Sequence, residues 1–292
     1  MIVVLGRTGQ VAQELRVAAA EQYAELQCYS RAEADFRDPS ALRSLLNSFR
    51  RGTCIVNAAA YTQVDRAEQE EAIAEQINAV TPGIIAEVCR EKGLSLIHLS
   101  TDYVFSGEKQ SPCQEHDSPG PLGAYGRTKW HGEQLVREAN PETVILRTSW
   151  VFSATGKNFV KTMLALGKER NEVSVVADQI GGPTAARDIA LTCLELARQL
   201  AGQQAEKVPA GIYHYTGAPA VTWYDFAREI FQQAGYSTAV RPISTQDYPT
   251  PAQRPRNSVL DCQRIWNECG IRQPDWKQGL SAVLKQLGLS SA

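Results

Sequence analysis

Tyr125 and Lys129 stand four residues apart in Tyr125-Gly126-Arg127-Thr128-Lys129. On a helix, residues at this spacing share one face. A phenol with an ordinary pKa of about 10 exchanges protons poorly at neutral pH, and an adjacent ammonium favours its ionised form. Such a pair suits proton transfer to or from a substrate oxygen, and the same ammonium can hydrogen-bond a sugar hydroxyl. Upstream, Leu99-Ser100-Thr101-Asp102-Tyr103-Val104-Phe105 ends an apolar run with two hydroxyls. Thr101 is thereby placed to share a substrate oxygen with Tyr125. A Tyr/Lys pair recurs by chance in a chain this long; the strand-end hydroxyl gives this one its meaning.

A second set of residues suits an anionic ligand. Gly6-Arg7-Thr8-Gly9-Gln10-Val11-Ala12 follows an apolar run and opens a helical stretch. Gly6 and Gly9 permit a tight turn and close approach of a pyrophosphate, and a helix N-terminus supplies free N–H groups. Ala12 stands where a third glycine is common. The end of the second strand is where a dinucleotide's ribose is read, and an acid there would bind the 2′-hydroxyl of NAD. Ser30-Arg31 stand there instead. A hydroxyl and a guanidinium suit a 2′-phosphate, which predicts NADPH, with NADH the alternative. Asp35-Phe36 offers a ring and backbone against which an adenine can rest. Asn57-Ala58-Ala59-Ala60 ends a third strand with small residues that leave room for the cofactor.

These residues need elements to carry them. Strands are expected at Met1–Leu5, Leu26–Tyr29, Cys54–Asn57, Leu94–Ser100 and Thr143–Arg147. Helices are expected at Gln10–Glu21, Ser40–Phe49, Glu68–Lys92 and Pro121–Asn140. This alternation predicts an α/β fold, a Rossmann-type doubly wound parallel sheet with a smaller C-terminal α/β substrate lobe. Further on come a strand at Val173–Val176, a helix at Ala186–Leu200 and a polar linker at Gln203–Pro209. A strand at Gly211–Tyr215, a helix after Thr222 and a proline-rich loop from Tyr248 to Pro255 follow. Residues 1–150 and about 170–210 are read as the NAD(P)-binding domain, and about 151–169 and 211–292 as the smaller substrate lobe.

The chain has 292 residues, with Lys plus Arg 30, Asp plus Glu 32 and a net charge of −2. It lacks the basic surplus that nucleic acid or an anionic membrane would call for. Its length suffices for a core without disulfide or metal staples. No apolar run reaches a membrane span, and the first residues have no basic n-region or cleavage site. The 7 Cys include no CxxC pair, and the 4 His show no metal-ligand spacing. Neither a zinc site nor a disulfide framework is expected, and a cytoplasmic location is.

Taken together, the glycine turn, the strand-end hydroxyl and the Tyr/Lys helix resemble those of the extended short-chain dehydrogenase/reductases. Longer strings narrow the resemblance: Asn57-Ala58-Ala59-Ala60-Tyr61-Thr62-x-Val64-Asp65, Ser100-Thr101-Asp102-Tyr103-Val104-Phe105-x-Gly107, Arg147-Thr148-Ser149-Trp150-Val151 and Arg254-Pro255-x-Asn257-Ser258. From Met1 to about Gly279 the chain is similar to the dTDP-4-dehydrorhamnose reductase family. The resemblance implies NAD(P)H-dependent reduction of the C4 keto group of dTDP-4-dehydro-β-L-rhamnose. It implies Tyr125 as proton donor, Lys129 orienting the ribose and tuning Tyr125, and Thr101 assisting. It implies that Gly9, Gln10, Val11, Ser30, Asp35, Phe36, Ala60, Tyr61 and Thr62 line the cofactor site. Thr101, Asp102 and Trp150 would contact the sugar nucleotide. Arg254, beside Arg256 in the proline-rich loop, is a candidate diphosphate clamp.

Two departures from the family pattern stand out. Ser30 replaces the acid at the second strand. Some members form a dimer bridged by a divalent ion; Glu14 matches one ligand position, but Arg187 stands where an acid is needed. A metal is therefore not expected, and a homodimer remains open. Two other readings compete: a reductase, epimerase or dehydratase of another nucleotide sugar, or a non-catalytic NADP-binding regulatory subunit. Retention of Thr101, Tyr125 and Lys129 weighs against the last.

Overall fold

The computed structural model describes residues 1–202 and 208–289. Of the expected linker, residues 203–207 lie outside the described residues. Five short segments rich in Val, Ile and Leu form strands: β1 (Ile2–Leu5), β2 (Leu26–Tyr29), β3 (Cys54–Asn57), β4 (Ser95–Thr101) and β5 (Val144–Thr148). β3 and β5 are buried at every position, as strands covered on both faces must be. Side chains alternate across the sheet. Val4, Val56 and Leu146 join one apolar cluster with α1 (Gln10–Glu21) and the helix Ala186–Leu200. Leu5, Ile55 and Ile145 join another with α2 (Pro39–Asn47) and the helix Thr81–Lys92.

The spatial order is Gly211–His214, β5, β4, β3, β1, β2, with every pairing parallel. The chain leaves β1 toward β2 on one side and returns to β3 on the other. That reversal opens a crevice at the carboxyl ends of β1 and β3, where ligands bind in such sheets.

The long helix expected over Glu68–Lys92 is broken. It runs as Val64–Ala67 and Glu71–Glu75, widens to a π-helical turn at Gln76–Val80, and resumes as Thr81–Lys92. Pro82 has no N–H to give the carbonyl of Asn78, so regular α-helical bonding fails there.

Two segments change lobes relative to the sequence reading. Gly211–His214, expected in the smaller lobe, pairs with β5 as an edge strand of the main sheet. Glu172–Val176, expected with the dinucleotide domain, pairs in parallel with Ala239–Ile243. There Val173 and Val175 pack with Phe152, Phe226, Ile230 and Leu280 around a separate core. A strand of four or five residues shows its faces in its sequence but not its partner, which explains both exchanges.

Candidate active site

Thr101 is the last residue of β4, and Tyr125 and Lys129 occupy the first turns of the helix Ala124–Ala139. The Thr101 hydroxyl stands beside the Tyr125 phenol. It also lies 3.0 Å from Asp102 Oδ1 and accepts from the Tyr103 N–H at 3.2 Å. Burial pushes Tyr125 up to about 12, with the Thr101 hydroxyl pulling the other way. The phenol therefore carries its proton at neutral pH, as a proton donor must. Burial also pushes the Asp102 carboxyl up to about 7, opposed by the Ser258 and Thr101 hydroxyls. Lys129 Nζ donates to the Leu99 carbonyl at 2.7 Å. Burial lowers its pKa to about 8, partly offset by the charge of Glu133.

The helix carrying this pair is seated unusually closely. A Cβ on Gly126 would lie 2.2 Å from the Tyr103 carbonyl oxygen, and one on Gly132 2.0 Å from that of Asn78. Only glycine allows either approach. Asn78 Nδ2 donates to Thr128 Oγ1 at 3.1 Å and to the Tyr61 carbonyl at 3.2 Å, while Oδ1 accepts from the Tyr61 N–H at 2.8 Å. One buried amide thus ties the Tyr/Lys helix to the segment after β3.

His98 Nε2 lies 3.4 Å from Lys129 Nζ. Asn57 Oδ1 accepts from the Ala59 N–H at 3.2 Å, which turns Nδ2 toward His98 Nδ1 at 3.0 Å. Nδ1 is then an acceptor and Nε2 carries the hydrogen. Burial, and then the neighbouring Lys129 charge, hold the imidazole neutral. Sequence reading assigned neither Asn78 nor His98 to the site. His98 had a visible signal, a polar residue within the apolar Leu96-Ile97-His98-Leu99.

At the other end of the crevice, Gly6 has φ +103°, and a Cβ there would lie 2.9 Å from the Ala59 nitrogen. Gly9 caps α1 without a side-chain bond, and the first turn holds no acid. Its amides are thus suited to an anion. These features fit a dinucleotide's pyrophosphate. Val11 is buried in the core, so only its backbone can serve that site. Gln10 Oε1 accepts from Ser153 Oγ at 3.0 Å and Asn158 Nδ2 at 2.8 Å, tying the turn to residues beyond β5. Ala60 is half-buried and Thr62 exposed. The Tyr61 hydroxyl donates to Glu70 Oε2 at 2.6 Å.

The strand-end residues differ from expectation. The Ser30 N–H and hydroxyl both bond Glu33, and Arg31 lies 3.7 Å from Asp35. Arg37 binds Asp35 at 2.8 Å and holds its carboxyl at about 2. Phe36 is 5% exposed and packs against Leu42 and Leu46. Its ring face is spent on the core, which corrects its reading as a platform for adenine.

On the substrate side, Trp150 adopts φ +46° and stacks on Trp223, with ring centroids 3.4 Å apart and planes 7° from parallel. Trp223 therefore covers one face that the sequence reading assigned to a sugar or base. Arg254 is held in a bidentate bond by Asp65, Nη1 to Oδ1 at 3.1 Å and Nη2 to Oδ2 at 2.8 Å. In this structure its guanidinium ties the proline-rich loop to the turn at Val64–Ala67 rather than standing free for a diphosphate. Arg187 pairs with Glu21 and faces Glu14, whose carboxyl is raised by burial.

The family described as the RmlD substrate binding domain matches residues 1–289 of this chain. The dTDP-4-dehydrorhamnose reductase of Aggregatibacter actinomycetemcomitans is 43% identical over 258 residues, 86% of this chain and 87% of that protein. The crystal structure of a dTDP-4-dehydrorhamnose reductase from Clostridium acetobutylicum superposes with a TM-score of 0.90 at 34% identity, covering 98% of this chain and 99% of its own. That of the Bacillus anthracis dTDP-4-dehydrorhamnose reductase, in complex with NADP, superposes with a TM-score of 0.89 at 33% identity, covering 98% of each.

Proposed function

The chain belongs to the dTDP-4-dehydrorhamnose reductase family, and from that membership we propose that it reduces the C4 keto group of dTDP-4-dehydro-β-L-rhamnose with NADPH or NADH. One observation carries the assignment of roles. A protonated Tyr125 phenol stands beside Thr101 at the end of β4, with Lys129 four residues along the same helix face. A bound reduced nicotinamide supplies the hydride. Tyr125 donates its proton to the C4 oxygen as negative charge develops there. Thr101 shares that oxygen and eases the proton's departure. Lys129, charged below about pH 8, stabilises the phenolate that remains.

Gly6, Gly9, Gln10 and the Val11 backbone would hold the pyrophosphate, and Lys129 the nicotinamide ribose. Ser30 and Arg31 would meet the adenosine ribose, and Ala60, Tyr61 and Thr62 the span between. Thr101 and Asp102 would hold the sugar. The main sheet takes the dinucleotide, and the separate core around Phe226 supports the sugar-nucleotide lobe. Gln10 links the two through Ser153 and Asn158. Among the described residues no helix is long and apolar enough to cross a membrane, and the proposed location is the cytoplasm.

The test is turnover. Purified protein is mixed with NADPH and dTDP-4-dehydro-β-L-rhamnose, and loss of the reduced-nicotinamide absorbance is followed alongside NMR of the product. Equimolar oxidation with formation of dTDP-L-rhamnose is expected. No oxidation, or oxidation only with a differently substituted nucleotide sugar, would overturn the proposal.

A further inference from the structure

The end of β2 lacks an acid in its sequence but not in its structure. Ser30 follows the strand where a dinucleotide's adenosine ribose is read. Its N–H and its hydroxyl both donate to Glu33 Oε2, each at 2.8 Å. The turn that follows brings Glu33 back: its own N–H and that of Ala34 bond the Ser30 carbonyl at 3.1 and 2.8 Å. Glu33 Oε1 takes no part in the Ser30 bonds. The two Ser30 donors keep this carboxyl below its ordinary range, so it is charged at neutral pH.

The surrounding cations do not displace it. Arg7 follows Gly6 in the phosphate turn, and its N–H bonds the Tyr29 carbonyl at 3.0 Å, beside Ser30. Arg31 leans toward Asp35, which it shares with Arg37.

We propose that Glu33 sets the cofactor preference, accepting the 2′-hydroxyl of NADH and opposing the 2′-phosphate of NADPH against the pull of Arg7 and Arg31. This rests on the function proposed above. A 2′-phosphate needs donors, and the two that Ser30 offers are already held by Glu33. It would also bring close to two negative charges against a fixed carboxylate. A 2′-hydroxyl is neutral and has a proton to give. Glu33 thus narrows the advantage that the arginines give NADPH and keeps NADH usable.

The rival reading is that Glu33 only closes the turn on Ser30, as in a capping box. Cofactor binding separates the two without any sugar substrate. NADH and NADPH are titrated into the protein, following nicotinamide fluorescence, for the wild type, Glu33→Gln, Glu33→Ala and Arg7→Ala. Glu33→Gln keeps the shape and removes the charge; the ratio of NADPH to NADH affinity should rise about two- to fivefold, the scale of one solvent-exposed charge contact. Glu33→Ala should move it in the same direction, and Arg7→Ala should lower it. Both cofactors binding with an unchanged ratio in Glu33→Gln, alongside a lowered melting temperature, would make Glu33 a turn cap and overturn the proposal. Binding of neither cofactor to the wild type would instead overturn the reductase reading, and this assignment with it.

Discussion

At the end of β4, Thr101, Lys129 and His98 are 5%, 1% and 0% exposed. At the end of β2, the Arg31 side chain is 66% exposed and its partner Asp35 30%. Both ends face one crevice, yet they follow different physics. Around Lys129 a charge is kept out of water, which is costly unless it is partnered, so the Leu99 carbonyl that accepts from the ammonium and the Asn78 amide that holds Thr128 leave the helix one position. Around Ser30 the charges are wet and screened, and each ion pair contributes little. On the proposed assignment, reaction chemistry is fixed by a packed interior, and cofactor choice by a rim that can change without disturbing it.

The sharpest way to break this contrast is Lys129→Met. We expect kcat to fall by about 10²- to 10⁴-fold, the range for removing a group that governs proton transfer. In the wild type, burial lowers this lysine from 10.5 to about 8. Activity should therefore fall as pH rises through about 8, and the variant's residual activity should lack that limb. The same burial predicts a stability gain. Below pH 8 the lysine is protonated folded or unfolded, and only the folded state bears the desolvation cost. That cost fades as pH rises from about 8 toward 10.5. Lys129→Met should thus be more stable at neutral pH, by about 1–3 kcal/mol in denaturant titration. Loss of both activity and stability would mean that the lysine is chiefly structural.

Gly132→Ala comes next. Its Cβ would lie 2.0 Å from a backbone oxygen that cannot swing aside. A loss of about 1–3 kcal/mol is expected from overpacking, read as a lower denaturation midpoint, with kcat reduced because the helix carrying Tyr125 must shift. Unchanged stability would show that the helix is not confined as described. The smallest effect belongs to the wet end. Arg31→Ala should weaken NADPH by only about two- to fivefold and leave kcat untouched, with the difference shrinking as salt is added. A large, salt-insensitive loss would place Arg31 in a buried contact and erase the contrast.

The same division decided what the sequence made legible. That Thr101, Tyr125 and Lys129 come together was readable because it depends on one helix spacing and one strand end. The turn at Gly6 and Gly9 was readable because so tight a strand-to-helix turn needs glycine. Asn78 was hidden inside a helical run: Pro82 marks a break in that helix, but nothing local says that the π turn aims the Asn78 amide at Tyr61 and Thr128. Glu33 was hidden because a turn, not the strand, delivers it. Arg254 was read by its chemistry, but its partner Asp65 lies 189 residues away in the chain. Phe36 was read as an aromatic platform because its burial follows only once α2 packs over it. Polar pairs between distant segments are tertiary facts, and a single sequence carries no period for them.

The central claim is that Tyr125 is the proton donor. Replacing Tyr125 with Phe removes one hydroxyl and leaves the ring free to keep its edge-to-face contact with Tyr103. Single-turnover reduction should be measured in this variant, with NADPH affinity determined on the same preparation. The expected result is a rate at least about 10²-fold below the wild type with NADPH affinity unchanged. A rate within a fewfold of the wild type would contradict the claim and assign the proton to another group, with the neighbouring Asp102 the first to examine.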